Sequence, residues 1–293
     1  MDRDPIGLFG IGLMGTAIAR RLLAAHFAVM GYDVDAQKRH SLVALGGIAA
    51  DSAAEVATNC PIVVLAVFDT GQVEQVVEGP PGLIGTAVRT AICMSTCDPD
   101  RIAALAGRAA AHGIALLEVP VSGTSTQVAQ GDGVALVAGD AAAAEAAGPV
   151  IEAICPRRYY IGAAGDGGRA KLVVNLMLGL NRAAVAEGLA FAESLGLDRA
   201  RLLEVAKGSA AYSQVMDVKG PLWAQDRFEP PMSRVDQSLK DFTLMGQIAQ
   251  RAGQSLPFAS LYAELMRDCA AHGEADKDNA ILINAIRRRR AKG

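Results

Sequence analysis

An amine and an amide one helical turn apart are the side chains in this sequence best suited to moving a proton. Lys171 and Asn175 lie in the run Gly165-Asp166-Gly167-Gly168-Arg169-Ala170-Lys171-Leu172-Val173-Val174-Asn175. The glycines end a loop, and an almost unbroken helical pattern then runs from Arg169 to about Leu195, placing both side chains on one face of a long helix. Leu172, Val173, Val174, Leu176, Met177 and Leu178 surround them. A polar pair inside so apolar a helix is costly unless both groups are satisfied or used. Lys171 is therefore the leading candidate for chemistry. The alternative is a lysine near a helix start that snorkels to solvent, with Asn175 as a minor packing polar.

A second constellation stands at the other end of the chain. Ile6-Gly7-Leu8-Phe9 reads as a short buried strand, and Gly10-Ile11-Gly12-Leu13-Met14-Gly15 then opens a helix through Ala17, Ile18, Leu22 and Leu23. Strand, glycine turn and helix form the context that a dinucleotide fingerprint needs. Gly10 allows the tight turn, Gly12 lets backbone amides approach a pyrophosphate at the helix N-terminus, and Gly15 lets helix and strand pack closely. Asp33 ends the next strand, Ala28 to Tyr32, where a carboxylate can accept hydrogen bonds from the adenosine ribose. It would repel the extra phosphate of NADP, and Val34 stands where a phosphate-binding arginine would be useful. NAD is the favoured cofactor, with NADP possible because Lys38 and Arg39 follow a turn later.

The elements that must position these groups follow from the pattern. Strands are expected at 62–67, 90–94, 114–119, 134–138 and 157–161, alternating with short helices, which implies a doubly wound α/β domain with a mainly parallel sheet. Ligands then bind outside the carboxyl ends of the strands. Phe68-Asp69-Thr70, Ser95-Thr96-Cys97-Asp98-Pro99 and Pro120-Val121-Ser122-Gly123-Thr124-Ser125-Thr126 sit at such ends. Ser95 either lines a nicotinamide pocket or caps the helix starting near Pro99. The hydroxyl-rich loop around Gly123 makes a carboxylate cradle. Beyond Leu195 only helical spacing appears, with Gly253 and Pro257 punctuating two of the helices and Trp223 read as core.

Composition narrows the class. A chain of 293 residues can bury a sizeable core as one large domain or two unequal ones. The formal net charge of −3 gives no electrostatic reason to expect nucleic acid or an acidic membrane surface, and no uninterrupted apolar span of membrane length appears. A cytoplasmic protein is expected, with the basic run Arg287 to Arg290 solvated at a helix C-terminus. Five cysteines, odd in number and scattered, read as reduced buried thiols and not as a metal site or disulfide framework.

These residues together resemble the β-hydroxyacid dehydrogenase family, which includes 3-hydroxyisobutyrate dehydrogenase and tartronate semialdehyde reductase, over essentially the whole chain. Gly10 to Gly15 is similar to its G-L-G-x-M-G signature, and Pro120-Val121-Ser122-Gly123 to its D-A-P-V-S-G-G loop. Gly165 to Asn175 is similar to G-x-G-x-x-x-K-x-x-N-N, and Lys240-Asp241-Phe242 to a late K-D-L motif. The resemblance implies a Rossmann-type domain to about Gly162, then residues 163–293 as a long interdomain helix and an all-helical domain, with copies paired as homodimers or homotetramers. It implies Lys171 as general acid/base, Asn175 as the neighbour that holds the reacting oxygen, and Ser122 and Gly123 as contacts of the substrate carboxylate. Thr96 becomes a contact beside the nicotinamide, and Lys240 a contact of cofactor or substrate. An amine with an ordinary pKa of ~10.4 can be drawn toward neutrality in a desolvated site. It then takes a proton from a hydroxyl as hydride leaves.

The sequence departs from the motifs at Val174, where the first of two asparagines would stand, at Glu118, in place of the loop's Asp, and at Thr124, in place of a second glycine. Thr124 is expected to alter which acid fits. The leading reading is an oxidoreductase that interconverts a small 3-hydroxy acid and its semialdehyde or ketone. One alternative is an imine reductase-like enzyme on the same fold, which would generally lack the lysine. The other is a non-catalytic dehydrogenase-like module of the type found in chromatin readers, which predicts an extra targeting segment.

Overall fold

The computed structural model describes residues 4–289. The chain divides into two compact units, Met1–Lys171 and Leu172–Gly293. The first is built on β1 (Ile6–Phe9), α1 (Leu13–Ala24), β2 (Val29–Tyr32), α2 (Ala36–Ala44), β3 (Ile48–Ala49), α3 (Ala53–Asn59), β4 (Ile62–Leu65) and α4 (Thr70–Glu78). It continues through β5 (Thr90–Cys93), α5 (Pro99–Ala110), β6 (Ala115–Glu118), β7 (Val121–Ser122), α6 (Ser125–Ala129) and β8 (Val134–Ala138). Helices α7 (Ala141–Ala146) and α8 (Gly148–Ile154) and strand β9 (Arg157–Gly162) follow, and then the 29-residue helix α9 (Asp166–Ser194).

The sheet order is β3-β2-β1-β4-β5-β6-β8-β7, with β9 also paired to β8. Strands β1 to β6 are parallel, β8 is antiparallel to β6 and β7, and β9 is parallel to β8. The chain moves outward from β1 to β3 and then returns to the other side of β1 with β4. That reversal opens a crevice at the carboxyl ends of β1 and β4, where the glycine loop lies. Strand β1 is buried throughout because both faces are covered, which is why its sequence is a continuous run without polar alternation. Leu8, Ile18, Leu22 and Val64 fill one layer of the core, and Val63, Leu65, Val73 and Ile102 the other. The expected loop 120–126 is instead a two-residue strand, β7, and the start of α6.

The second unit holds the rest of α9, then α10 (Arg199–Lys207), α11 (Gln214–Gln225), α12 (Val235–Arg251), α13 (Pro257–Ala271), a 3-10 turn at Asn279–Ile281 and α14 (Leu282–Arg288). Its core contains Ala186, Leu189, Trp223, Phe242, Tyr262, Met266 and Leu282. Gly179 lets α9 approach α12, since a Cβ there would lie 2.4 Å from Phe242 Cζ. Length and composition alone would let α9 cross a membrane. It carries the buried charges Lys171 and Arg182 and gives Leu172, Ala186, Leu189 and Ala190 to a packed core, although only 28 % of its most apolar stretch is buried.

The arginine run is less solvated than its sequence suggests. Arg287 pairs with Glu193 and Asp226, and Arg288 with Asp268 and Glu274, so the last helix is tied down by carboxylates. Arg290 lies outside the described residues. All five cysteines are free and buried. Burial pushes the thiols of Cys60 and Cys155 up to about 11 and that of Cys269 to about 12, which keeps them protonated and unreactive near neutrality.

Candidate active site

The glycine loop has the form its spacing predicts. Gly10 takes φ +88°, and a Cβ there would stand 2.6 Å from Ala66 O. A Cβ on Gly15 would stand 2.0 Å from Gly10 O, so helix and turn could not close. Gly12 is different: its Cβ would meet no atom within 4 Å. The space and the helix start belong together. Helices α2 to α7 each begin under a side-chain oxygen, from Asp35, Ser52, Asp69, Asp98, Thr124 and Asp140 in turn. Helix α1 begins at Gly12 with no side-chain cap. The space beside this helix start is open, and a diphosphate there would satisfy its first amides, so the residues present fit a dinucleotide. Ile11 is buried and Leu13 is partly exposed beside this opening, with Met14 packed against the core.

Asp33 is buried at the end of β2. Its Oδ2 accepts from Ile11 N–H at 2.7 Å and its Oδ1 from Asp35 N–H at 3.0 Å. The carboxylate therefore locks the glycine loop to the neighbouring strand, and each oxygen retains a lone pair for a ribose hydroxyl. Lys38 Nζ lies 3.7 Å from Asp33 Oδ1. The Arg39 guanidinium donates to Asp33 O at 2.6 Å and sits 5.5 Å from the centre of the Tyr32 ring. Val34 points into solvent.

At the next strand ends, the hydroxyls have structural partners. Ser95 Oγ donates to Val67 O at 2.7 Å, which joins the ends of β4 and β5. It does not cap α5, a role Asp98 takes. Thr96 is half-buried beside it. Ser122 ends β7, and Gly123 follows at φ +142°. Thr124 is the N-cap of α6: its Oγ1 accepts from Gln127 N–H at 3.2 Å while Thr124 N–H donates to Gln127 Oε1 at 2.9 Å. The residue that breaks the glycine pattern thus forms a capping box that fixes the loop.

Lys171 is buried, only 6 % exposed, near the start of α9. The glycines before it do not end a loop. Gly167 and Gly168 are in the first helical turn, and their lack of a side chain makes room for the Glu118 carboxylate, whose Oε2 accepts Gly165 N–H at 2.9 Å. Among sequence patterns only the paired glycines hinted at such an approach.

In the helical unit, Asn175 is half-buried one turn after Lys171 on the same helix. Its Nδ2 donates to Asp241 Oδ2 at 3.0 Å. Lys240 Nζ lies 3.3 Å from Asp241 Oδ1. Asp241 therefore gathers two of the expected site residues, a role its place between Lys240 and Phe242 did not announce. The amide nitrogen of Asn175 is held by that carboxylate, which leaves its Oδ1 oriented for another group.

A family model described as the NAD binding domain of 6-phosphogluconate dehydrogenase matches residues 5–162. One described as the NAD-binding domain of NADP-dependent 3-hydroxyisobutyrate dehydrogenase matches residues 165–286. The chain is 30 % identical over 287 residues to 2-hydroxy-3-oxopropionate reductase of Escherichia coli, covering 96 % of each protein. It is 31 % identical over 287 residues to L-threonate dehydrogenase of Cupriavidus necator, again covering 96 % of each. The solved structure of 3-hydroxyisobutyrate dehydrogenase from Salmonella typhimurium superposes with a TM-score of 0.87 at 27 % identity, covering 96 % of this chain and 99 % of that one. With an uncapped glycine turn shaped for a diphosphate, an aspartate at the end of β2 and these matches along its length, the chain belongs to the β-hydroxyacid dehydrogenase family of NAD(P)-dependent oxidoreductases.

Proposed function

We propose that this dehydrogenase interconverts a small 3-hydroxy acid and its semialdehyde or keto form, with Lys171 as general acid/base and NAD as the preferred nucleotide. The observation that carries the reading is the buried ammonium position of Lys171 on a helix pinned to the sheet. A buried amine placed beside a reacting alcohol is the kind of group that exchanges a proton with it. Bound NAD supplies the hydride acceptor. Lys171 holds the proton of the reacting oxygen, and Asn175, its amide oriented by Asp241, fixes that oxygen's direction. Ser122 Oγ and Gly123 N–H hold the carboxylate of the acid, while Thr124 sets the shape of their loop through its cap on α6. Thr96 stands by the nicotinamide, and Lys240 contacts nucleotide or acid. Pairing of copies belongs to the same reading, supported by the exposed Val173, Met177, Phe191 and Leu195 on and just after α9. A cytoplasmic location fits it, and no nucleic acid or membrane partner enters it.

The preference for NAD rests on Asp33. A phosphate on the ribose would face this carboxylate, and Lys38 and Arg39 are already drawn toward Asp33. The three compounds named for the relatives make the assay: 3-hydroxyisobutyrate and L-threonate with NAD and NADP, and 2-hydroxy-3-oxopropionate with the reduced nucleotides, followed by nicotinamide absorbance. Turnover of at least one is expected, with kcat/KM for NAD above that for NADP by about tenfold or more. Turnover of none in either direction overturns the substrate class, and a preference for NADP overturns the nucleotide assignment. Asp33→Asn keeps one acceptor for Ile11 N–H and removes the charge. It is expected to narrow the NAD/NADP ratio by about tenfold, and an unchanged ratio would assign discrimination elsewhere.

A further inference from the structure

Helix α9 begins on a carboxylate supplied by a strand far away in the chain. Glu118 is the last residue of β6 and is 1 % exposed. Its Oε2 accepts Gly165 N–H at 2.9 Å, and the amides of Gly167 and Gly168 also bond to the carboxylate. The approach depends on glycine: a Cβ on Gly168 would stand 2.5 Å from Glu118 Oε1, and one on Gly167 would stand 3.1 Å from Oε2. A local Ser or Asp at the N-cap could satisfy helix amides as well, as it does for α2 to α7. The distant carboxylate does something a local cap does not, because it fastens the helix start to the carboxyl end of the sheet.

The arrangement has a cost. Loss of water pushes the Glu118 carboxyl above its usual range, against the pull of the three amides and of Arg169. An acid whose folded pKa is raised favours the fold while protonated and detracts from it once pH rises past that value. The charged form is therefore the costly one at this position. Retaining such a group where a local cap would serve is the pattern of a residue kept for activity.

We propose that Glu118 is the positioning residue of this enzyme, setting the place of Lys171 by clamping the first turn of α9 three residues before it. The inference rests on Lys171 as proton relay and adds what holds it there. The Glu118 carboxylate serves three amides at the start of α9, so a shift of that turn moves the Lys171 amine directly. A displacement of about 1 Å at a reacting group can lower a rate by about a hundredfold.

The test measures kcat, KM and NADH affinity for Glu118→Gln and Glu118→Asp, each alone and combined with Lys171→Ala, using whichever of 3-hydroxyisobutyrate, L-threonate or 2-hydroxy-3-oxopropionate is turned over. Glutamine replaces one carboxylate oxygen by an amide that donates and cannot accept. Its kcat is expected to fall by about 10- to 100-fold, with KM and NADH affinity within about threefold. Aspartate keeps both oxygens and is expected to recover most of the loss. In the Lys171→Ala background Glu118→Gln should have no further effect, since a residue acting through the amine has nothing left to act on. Gly168→Ala probes the same clamp from the helix side and should give the same loss in kcat, not additive with Glu118→Gln. Wild-type kcat in Glu118→Gln, an equal loss with Lys171 absent, or a loss carried by KM and NADH affinity would each overturn the proposal. If Lys171→Ala alone is as active as wild type, the relay reading fails first and this inference with it. If Lys171→Ala is impaired and Glu118→Gln is not, only the positioning role is lost.

Discussion

Replacing Lys171 by methionine or alanine is expected to lower kcat by about 10²- to 10⁴-fold, the usual contribution of a positioned acid/base, with NADH affinity unchanged. The two effects separate because the groups that would hold the dinucleotide are elsewhere. The amides at Gly12, the Ile11–Asp33 bond and the Asp33 carboxylate sit at the ends of β1 and β2 and have no contact with α9 among the described hydrogen bonds. Methionine is the sharper variant, since it preserves most of the stem that fills a position only 6 % exposed and removes the amine alone. Arginine is not expected to rescue. Its guanidinium stays protonated at any working pH and cannot take a proton from the alcohol. Turnover in Lys171→Met within a few-fold of wild type would remove the amine from the mechanism. The proton of the alcohol would then have to pass to another group or to water.

The local parts of this molecule are legible in its sequence, and the parts that depend on distant partners are not. Strand, glycine turn, helix and Asp33 fall within one short stretch, and each follows from the backbone demands of a tight turn and a close helix. The buried strands announce themselves as apolar runs, and the long helix as a 3.6-residue period. Gly167 and Gly168 mislead because glycine usually marks a turn. Here it marks a helix turn that must admit Glu118, whose carboxylate accepts from Gly165, 47 residues along the chain. Ser95 is not the cap of α5, and its bond to Val67 O comes from the end of a strand that is adjacent only in space. Thr124 reads in sequence as a departure from the substrate loop's second glycine. Its partner, Gln127, lies three residues on, so the capping box was there to be read once the helix α6 was suspected. Asn175 reads as a lone amide until Asp241 is brought against it by the packing of α9 on α12.

The least legible pair carries the second large effect. Lys219 lies within α11 and Asp278 just before the final helix, and neither belongs to any pattern along the chain. In the fold they are 3 % and 0 % exposed, with Lys219 Nζ 2.8 and 2.7 Å from the two Asp278 oxygens. The carboxylate also accepts from the backbone N–H groups of Met232 at 2.8 Å, Ser233 at 3.3 Å and Ala280 at 2.9 Å. One buried charge thus joins α11, the segment before α12 and the turn before α14. Burial pulls the Lys219 ammonium down to about 8 despite Asp278, so at neutral pH it still carries its charge. Removing one partner of such a pair leaves the other uncompensated in a medium that solvates it poorly, and Lys219→Met is expected to destabilise the helical unit by about 3–5 kcal/mol. Trp223 is the single tryptophan, fully buried, with its Nε1–H donating to Ala280 O at 2.8 Å, so its fluorescence during urea unfolding reports this unit directly. Adding Asp278→Leu should not restore the loss, unlike the usual apolar replacement of an ion pair, because three backbone amides would then lose their acceptor. A cost below about 1 kcal/mol for Lys219→Met, the range of an exposed ion pair, would mean that those amides alone hold the Asp278 charge and that the lysine contributes no structural restraint.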